Sequence, residues 1–372
     1  MLNYKKLAKL TLVMPSYERQ PFVIRSMKYW SNKNVKLVVL DGSKCSIKSS
    51  ILKTLNLNKN IYYEHSKSSF VKRLKRAILL TKTKYVALIG DDEFYIPSTL
   101  LKCIDVLDKN NKLVSCCGTA VGFYPSNGLI YGKLKYPKLL GYKIQHNDPR
   151  ERVKFHMRNY VPSLVYGVTR SHQWKTATSA YTDKEFPVFA MFEIQMEMIL
   201  SFCGKSKVIP SLMWLRSGNE SDKINHKEKS LNPKNIFPKW WKNKKIKNQH
   251  EKFISIVSKK FSLLNPGFKN EYYSKSVIDA CKSYIVFSLE RKSRRQLSIL
   301  HRLARYFISF FNEDFARKIK NIFFTLVGKS NLSHDLLTQK VLRMKKTGQR
   351  IDLKEVKNIM KIITDFHNKK FH

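Results

Sequence analysis

The sequence predicts an α/β protein, a mostly parallel sheet with helices on both faces, followed by a helical C-terminal region. Three observations predict it. Short β-rich apolar runs alternate with helix-length segments through the first half of the chain. Polar and acidic residues cluster just after those runs. From about residue 250 onward only helical periodicity remains.

The strand-like runs are "KLTLVMP" (9–15), "VKLVVLDGS" (35–43), "NIYYEH" (60–65), "KYVALIGDD" (84–92) and "KLVSCCGTAVGFY" (112–124), each bounded by turn residues. Helical patterns lie between them at 20–31, about 46–55, 68–81 and 97–109. A β-α-β rhythm of this kind builds a parallel sheet, whose ligands bind beyond the carboxyl ends of its strands. A turn-rich segment, 125–149, follows. "DPRERVKFHMRNY" (148–160) reads as a short helix and "SLVYGVTR" (163–170) as a strand. "PVFAMFEIQMEMILSFCG" (187–204) reads as an apolar helix ending in Gly204, and "SKVIPSLMWLRS" (206–217) as a final strand. The composition then shifts. The expected division is an α/β domain at 1–217, a polar Lys- and Asn-rich loop or linker at 218–249, and a basic helical domain at 250–372.

Charge narrows the function. Lys and Arg number 71 against 27 Asp and Glu in 372 residues, a formal net charge of +44. The partner expected is polyanionic: anionic lipid headgroups, a phosphorylated substrate or nucleic acid. No helix-turn-helix, RNA-recognition or zinc-finger signature is present, and acids at the strand ends would repel phosphates unless a cation intervened, so nucleic acid is not expected. The six cysteines have no C-x-x-C spacing and read as reduced thiols of a cytosolic protein. "LTLVM" is too short for a signal peptide, and no run reaches the roughly 18 apolar residues of a membrane span. A cytoplasmic protein is expected, peripheral at most to the inner face of the membrane.

The strand ends carry the candidate chemistry. The first ends in Pro15-Ser16-Tyr17-Glu18-Arg19, the second in Asp41-Gly42-Ser43, the fourth in Asp91-Asp92-Glu93. Carboxylates gathered at one strand end suit a hard divalent cation, Mn2+ or Mg2+, that also holds phosphates. Lys72, in "FVKRLKRA", is a candidate for base or phosphate contact, or else a solvated helix charge. Arg216, in "WLRSGNES", is a candidate diphosphate contact. Arg152 and Arg170 read as framework ion-pair residues.

"LTLVMPSYERQPFVIRSMKYW", "VKLVVLDGS" and "KTKYVALIGDDEFYIPSTLLKCIDVL" together resemble the nucleotide-sugar half of family-2-type inverting glycosyltransferases of the GT-A fold. The likeness spans roughly 8–217 and leans toward the bacterial branch that builds capsule and lipooligosaccharide. It implies a nucleotide-sugar donor, UDP-sugar favoured, with Pro15, Ser16, Tyr17 and Glu18 near the base and Asp41 near uracil or ribose. It implies that Asp91, Asp92 and Glu93 bind ribose and a metal-diphosphate, Asp91 and Glu93 being the outer positions of a D-x-D-like triplet. Glu18 stands where Asn is more usual, and Glu93 where Asp is.

The resemblance also implies a catalytic base on a later helix. Glu193 is the candidate, Glu197 one turn on is the competitor, and Asp183 and Glu185 lie just upstream. His226 stands after the last strand, where many GT-A enzymes place a metal-binding His. The expected acceptor is a glycan or a lipid-linked glycan. Alternatives are a same-fold transferase of a phospho-polyol or phosphoramidate group, a basic nucleic-acid-binding protein, and an inactive scaffold. The tail stripe "HRLARYFISFFNEDFARKIKNIFF" (301–324) reads as helical core or as a membrane-interface face, and the paired Trp of "FPKWWKNKK" (237–245) as an interfacial anchor or a sugar-stacking surface.

Overall fold

The computed structural model describes residues 4–183, 186, 190–218, 233–296 and 335–368. The first half alternates as expected: β1 (Leu10–Ser16), α1 (Gln20–Ser31), β2 (Lys36–Asp41), α2 (Ser49–Thr54), β3 (Ile61–His65), α3 (Phe70–Leu80) and β4 (Tyr85–Leu88). Then come β5 (Phe94–Tyr95), α4 (Pro97–Lys109), β6 (Leu113–Ser126), β7 (Leu129–Lys135), β8 (Lys143–Ile144), α5 (Pro149–Arg158), β9 (Val168–Arg170), α6 (Ser171–Asp183), α7 (Ala190–Cys203) and β10 (Lys205–Ser217). Beyond the site-bearing half lie α8 (Pro233–Lys242), α9 (Lys247–Leu264), α10 (Asn270–Gln296), β11 (Asp335–Leu336), α11 (Leu337–Lys346) and α12 (Leu353–Asn368).

The strands form one sheet in the order β11-β7-β6-β9-β4-β1-β2-β3, with β10 beside β6 and short β5 and β8 against β10. Strands β3, β2, β1 and β4 are mutually parallel. Of these, β1, β2 and β4 are almost wholly buried, whereas the edge strand β3 is half-buried throughout. Val13, Val38 and Val86 pack on one side of the sheet, Leu12, Leu37 and Ala87 on the other. Beyond β4 the sheet becomes mixed: β9 runs antiparallel to both β4 and β6, and β7 returns antiparallel to β6.

Strand β7 lies in the segment read as turn-rich. Its signal is Asn127-Gly128, where both residues have positive φ, 50° and 72°. That pair makes the tight turn whose twist matches a hairpin. The run 163–170 is a strand only over its last three residues, and α6 was not expected.

The basic C-terminal region divides. Helices α8, α9 and α10 pack on α5, α6 and α7, burying Phe237, Phe253, Val257, Tyr273 and Tyr284 in the same apolar cluster as α7. The paired Trp face inward: Trp240 is 6% exposed, and Trp241 stacks on Phe237 and on the His250 ring. The exposed interfacial anchor expected of that pair is thus replaced by core packing. The stripe at 301–324 lies outside the described residues.

Residues 335–368, by contrast, return to the sheet. β11 pairs with β7, and the Arg350 backbone joins β10 through Pro210 O (2.7 Å) and Leu212 N (3.2 Å). Glu355 accepts from Ser98 N and Oγ, filling the open amide end of α4. The Phe366 ring lies 4.6 Å from the Arg25 guanidinium. No described helix is long and apolar enough to cross a membrane.

Candidate functional site

The carboxyl ends of β1, β2 and β4 meet at one rim, because Ser16 pairs with Asp41 in register and Ile89 N donates to Val13 O at 3.0 Å. Past Ile89 the chain turns sharply at Asp91-Asp92 and is drawn into β5, whose antiparallel pairing with β10 sets Glu93 beside Trp214. The turn is pinned from behind. Ser26 Oγ donates to Asp91 O (2.7 Å) and Arg25 Nη2 to Asp92 O (3.0 Å). Arg25 is in turn enclosed by the rings of Phe22, Phe94 and Phe366.

All three acids are buried, at 4%, 7% and 7% exposure. They form two groups rather than one. Asp91 Oδ2 accepts from Ser16 Oγ at 2.6 Å, while Asp91 Oδ1 and Asp92 Oδ2 lie 3.2 and 2.5 Å from one atom, Arg19 Nη2. Glu93 accepts from Trp214 Nε1 at 2.9 Å and pairs with Arg216 Nε at 3.3 Å. The expected outer ligands, Asp91 and Glu93, thus have different nearest cations, Arg19 for Asp91 and Arg216 for Glu93. The acids that converge are Asp91 and Asp92, because the β5–β10 pairing pulls Glu93 away. Among the described residues no three His, Cys, Asp or Glu side chains converge as a ligand set. His226 and Glu185 lie outside the described residues.

Burial raises Asp91 to about 6, with Arg19 opposing, and Glu93 to about 7, with Arg216 opposing. Burial also works against the Arg19 charge, but Asp91, Asp92 and Glu93 outweigh it and raise Arg19 above its ordinary value.

The neighbouring part of the rim is organised around Asp41, which is wholly buried. Its Oδ1 accepts from Ser43 N (2.9 Å) and Oγ (2.5 Å), its Oδ2 from Tyr63 OH (2.8 Å) and Gln20 Nε2 (3.1 Å). Asp41, the expected nucleoside contact, thus has both oxygens engaged here and orders Ser43, Gln20 and Tyr63 around the rim. Tyr17 projects into solvent at 57% exposure, and Pro15 lies within β1. Glu18 has φ 55°, a left-handed turn that Asn adopts more readily, and its Oε1 accepts from Lys44 N at 2.6 Å.

Lys72 is exposed. The neighbouring Arg73 enters the rim instead, donating to Leu40 O (3.0 Å) and to Ser16 O. The helical period carried this signal: Val71, Leu74 and Ala77 mark the buried arc, Arg73 sits at its edge, and Lys72 falls on the opposite side. Arg19 and Arg73 are the two site cations that sequence reasoning passed over.

The two acids on α7 differ sharply. Glu197 is wholly buried: Oε2 meets His156 Nε2 at 2.7 Å, and Oε1 accepts from Leu164 N (3.2 Å) and Val165 N (3.0 Å). His156 Nδ1 lies 2.6 Å from Tyr142 OH. Both oxygens of this competitor base are engaged within the core. Glu193 is half-buried and accepts from Tyr160 OH. Desolvation, then the fields of Glu193 and Glu93, hold the Tyr166 phenol well above its ordinary range, so both carboxylates act on one ring. That ring packs 4.5 Å from Trp214. Asp183, by contrast, is paired with Lys260 at 2.6 Å. Arg152 and Arg170 are framework residues, but their partners are backbone carbonyls rather than acids.

Residues 11–175 match the family model described as "Glycosyl transferase family 2". No curated protein sequence matches the chain. Among solved structures, S. aureus TarS 1–349 is 11% identical, covering 77% of this chain and 91% of that one with a TM-score of 0.40. A longer S. aureus TarS structure is 10% identical and covers 87% and 54%, with a TM-score of 0.43. The 1–349 form with UDP-GlcNAc is also 10% identical, covering 77% and 91% at a TM-score of 0.39. The reading of the site rests on the family match and on the chain's own residues, a GT-A-like mixed sheet with buried acids at its rim. The protein is a glycosyltransferase, matching the family 2 model over residues 11–175.

Proposed function

We propose that the protein transfers a sugar, with inversion, from a nucleoside-diphosphate donor, UDP-sugar favoured, to a surface-polysaccharide or lipid-linked glycan. One observation carries the reading: Asp91 and Asp92 present two buried carboxylate oxygens to a single cationic atom, at the rim where β1 and β2 end in Ser16 and Asp41. A divalent cation held with a diphosphate needs only one or two protein carboxylates, the phosphates and water filling the rest. The Asp91–Asp92 pair fits that requirement and Glu93, held by Trp214 and Arg216, does not. When bound there, such a cation offsets charge on the departing diphosphate.

The protein's own groups do the rest. Tyr17 offers an exposed ring to the base, and Arg73 braces the rim. Arg216, stacked within 5.3 Å of Trp214, is the group offered to the diphosphate, shared with its partner Glu93. Glu193 takes the acceptor proton, its carboxylate oriented by the Tyr160 hydroxyl. The net charge of +44 supports work at the anionic inner face of the cytoplasmic membrane, where a lipid-linked acceptor would lie.

Calorimetric titration with a panel of nucleoside-diphosphate sugars, with manganese, tests the donor class. Glu193→Gln is expected to lower kcat by about 10²- to 10⁴-fold with donor affinity unchanged. Unaltered transfer removes Glu193 as the base, and tight salt-sensitive binding to random DNA without donor affinity overturns the reading altogether.

Gly42 tests the rim. A Cβ at Gly42 would lie 2.5 Å from the Arg73 Cζ, so Gly42→Ala must push the guanidinium aside. With the guanidinium moved off Ser16 O and Leu40 O, UDP affinity is expected to fall, read by the same calorimetry.

A further inference from the structure

We propose that Arg19 is a displaceable counter-ion built into the site, which makes cation binding at Asp91 and Asp92 depend on the nucleotide diphosphate. The inference rests on the assignment of that pair to a divalent cation.

The geometry is that of a cation already in place. Arg19 Nη2 touches Asp91 Oδ1 and Asp92 Oδ2 together, so the two oxygens that face each other are both committed to it. The other Asp91 oxygen is committed to Ser16, and the backbone of the turn to Ser26 and Arg25. The Asp91 carboxylate and the backbone of the turn are therefore held by groups other than Arg19, and the movement is assigned to Arg19. Its side chain is 22% exposed against 5% and 11% for its partners. Its backbone caps α1, accepting from Phe22 N and Val23 N, so the guanidinium pivots from a fixed base. The Phe22 ring, 5.1 Å away, provides an apolar surface for it to slide along.

A guanidinium carries one charge, and two carboxylates carry two. A divalent ion matches the pair better, but on its own it must first evict Arg19, leaving that group with no anion. A diphosphate changes the balance, because the evicted guanidinium then finds phosphate oxygens at the same rim. Arg19 thereby couples the two ligands, and by linkage the coupling is reciprocal.

Mn2+ binding followed by electron paramagnetic resonance, with and without UDP, tests this with no turnover. In the wild type, Mn2+ alone should bind weakly and UDP should tighten it strongly. Arg19→Met should tighten Mn2+ alone by about tenfold and shrink the gain from UDP correspondingly. Arg19→Lys, which keeps a charge but loses the fork, should fall between. Asp91→Asn added to Arg19→Met should erase the gain. Thermal melts establish that each variant is folded, and Arg19→Gln replaces Arg19→Met should the latter not fold. If Mn2+ binds with UDP in every form but the uncharged variant binds Mn2+ alone no tighter than wild type, the counter-ion role is overturned. If Mn2+ binds no form even with UDP, the cation assignment itself fails, and this inference with it.

Discussion

Asp91→Asn is expected to lower kcat/KM by about 10²-fold or more, since even groups that merely orient a cation's ligands cost 10- to 100-fold. The fold should survive. Asn can still accept from Ser16 Oγ, Arg19 keeps Asp92, and the turn stays pinned through its backbone by Ser26 and Arg25. Removing a buried charge also removes its desolvation cost, so the melting temperature should stay level or rise. Steady-state kinetics with the best donor, alongside a thermal melt, check both halves. Retained turnover in a folded Asp91→Asn protein would take the reaction away from the strand rim.

Glu197→Ala should show the opposite profile, a loss of stability of about 1–3 kcal/mol for each buried donor left without its acceptor. The substitution leaves Leu164 N, Val165 N and the His156 ring without their acceptor in a wholly buried place. The damage should spread from there toward the site. The 164–165 backbone leads into Tyr166, which packs on Trp214, which donates to Glu93. Urea denaturation measures the cost. Unchanged stability with abolished transfer would instead make Glu197 the base and return Glu193 to the surface.

Much of the fold was legible locally. Helices 20–31 and 97–109 fall where the pattern placed them, because Pro at the first turn and an apolar stripe are local signals. Strands 10–16, 36–41 and 61–65 were equally plain. The β6–β7 hairpin was readable too, from Asn127-Gly128, and its neighbours' tyrosines and glycines masked it. The return of 335–368 to the sheet was not readable. An amphipathic helix announces that one face is buried, but not against what, and β11 finds its partner two hundred residues earlier in the chain.

The site followed the same division. That acids would stand at the ends of β2 and β4 was written in the order of residues, since a strand's last apolar position fixes where the chain leaves the sheet. Which groups those acids would meet was not. Asp91 and Asp92 share Arg19, Glu93 turns to Trp214 and Arg216, and Glu197 closes on His156, each partner brought by a different segment. By itself, the sequence determined the alternating elements, the rim and the chemistry gathered there. The tertiary structure alone decided which carboxylates face a cation and which are spent on the core, because a side chain's partner depends on contacts between segments far apart in the chain, and those exist only once the sheet has closed around them.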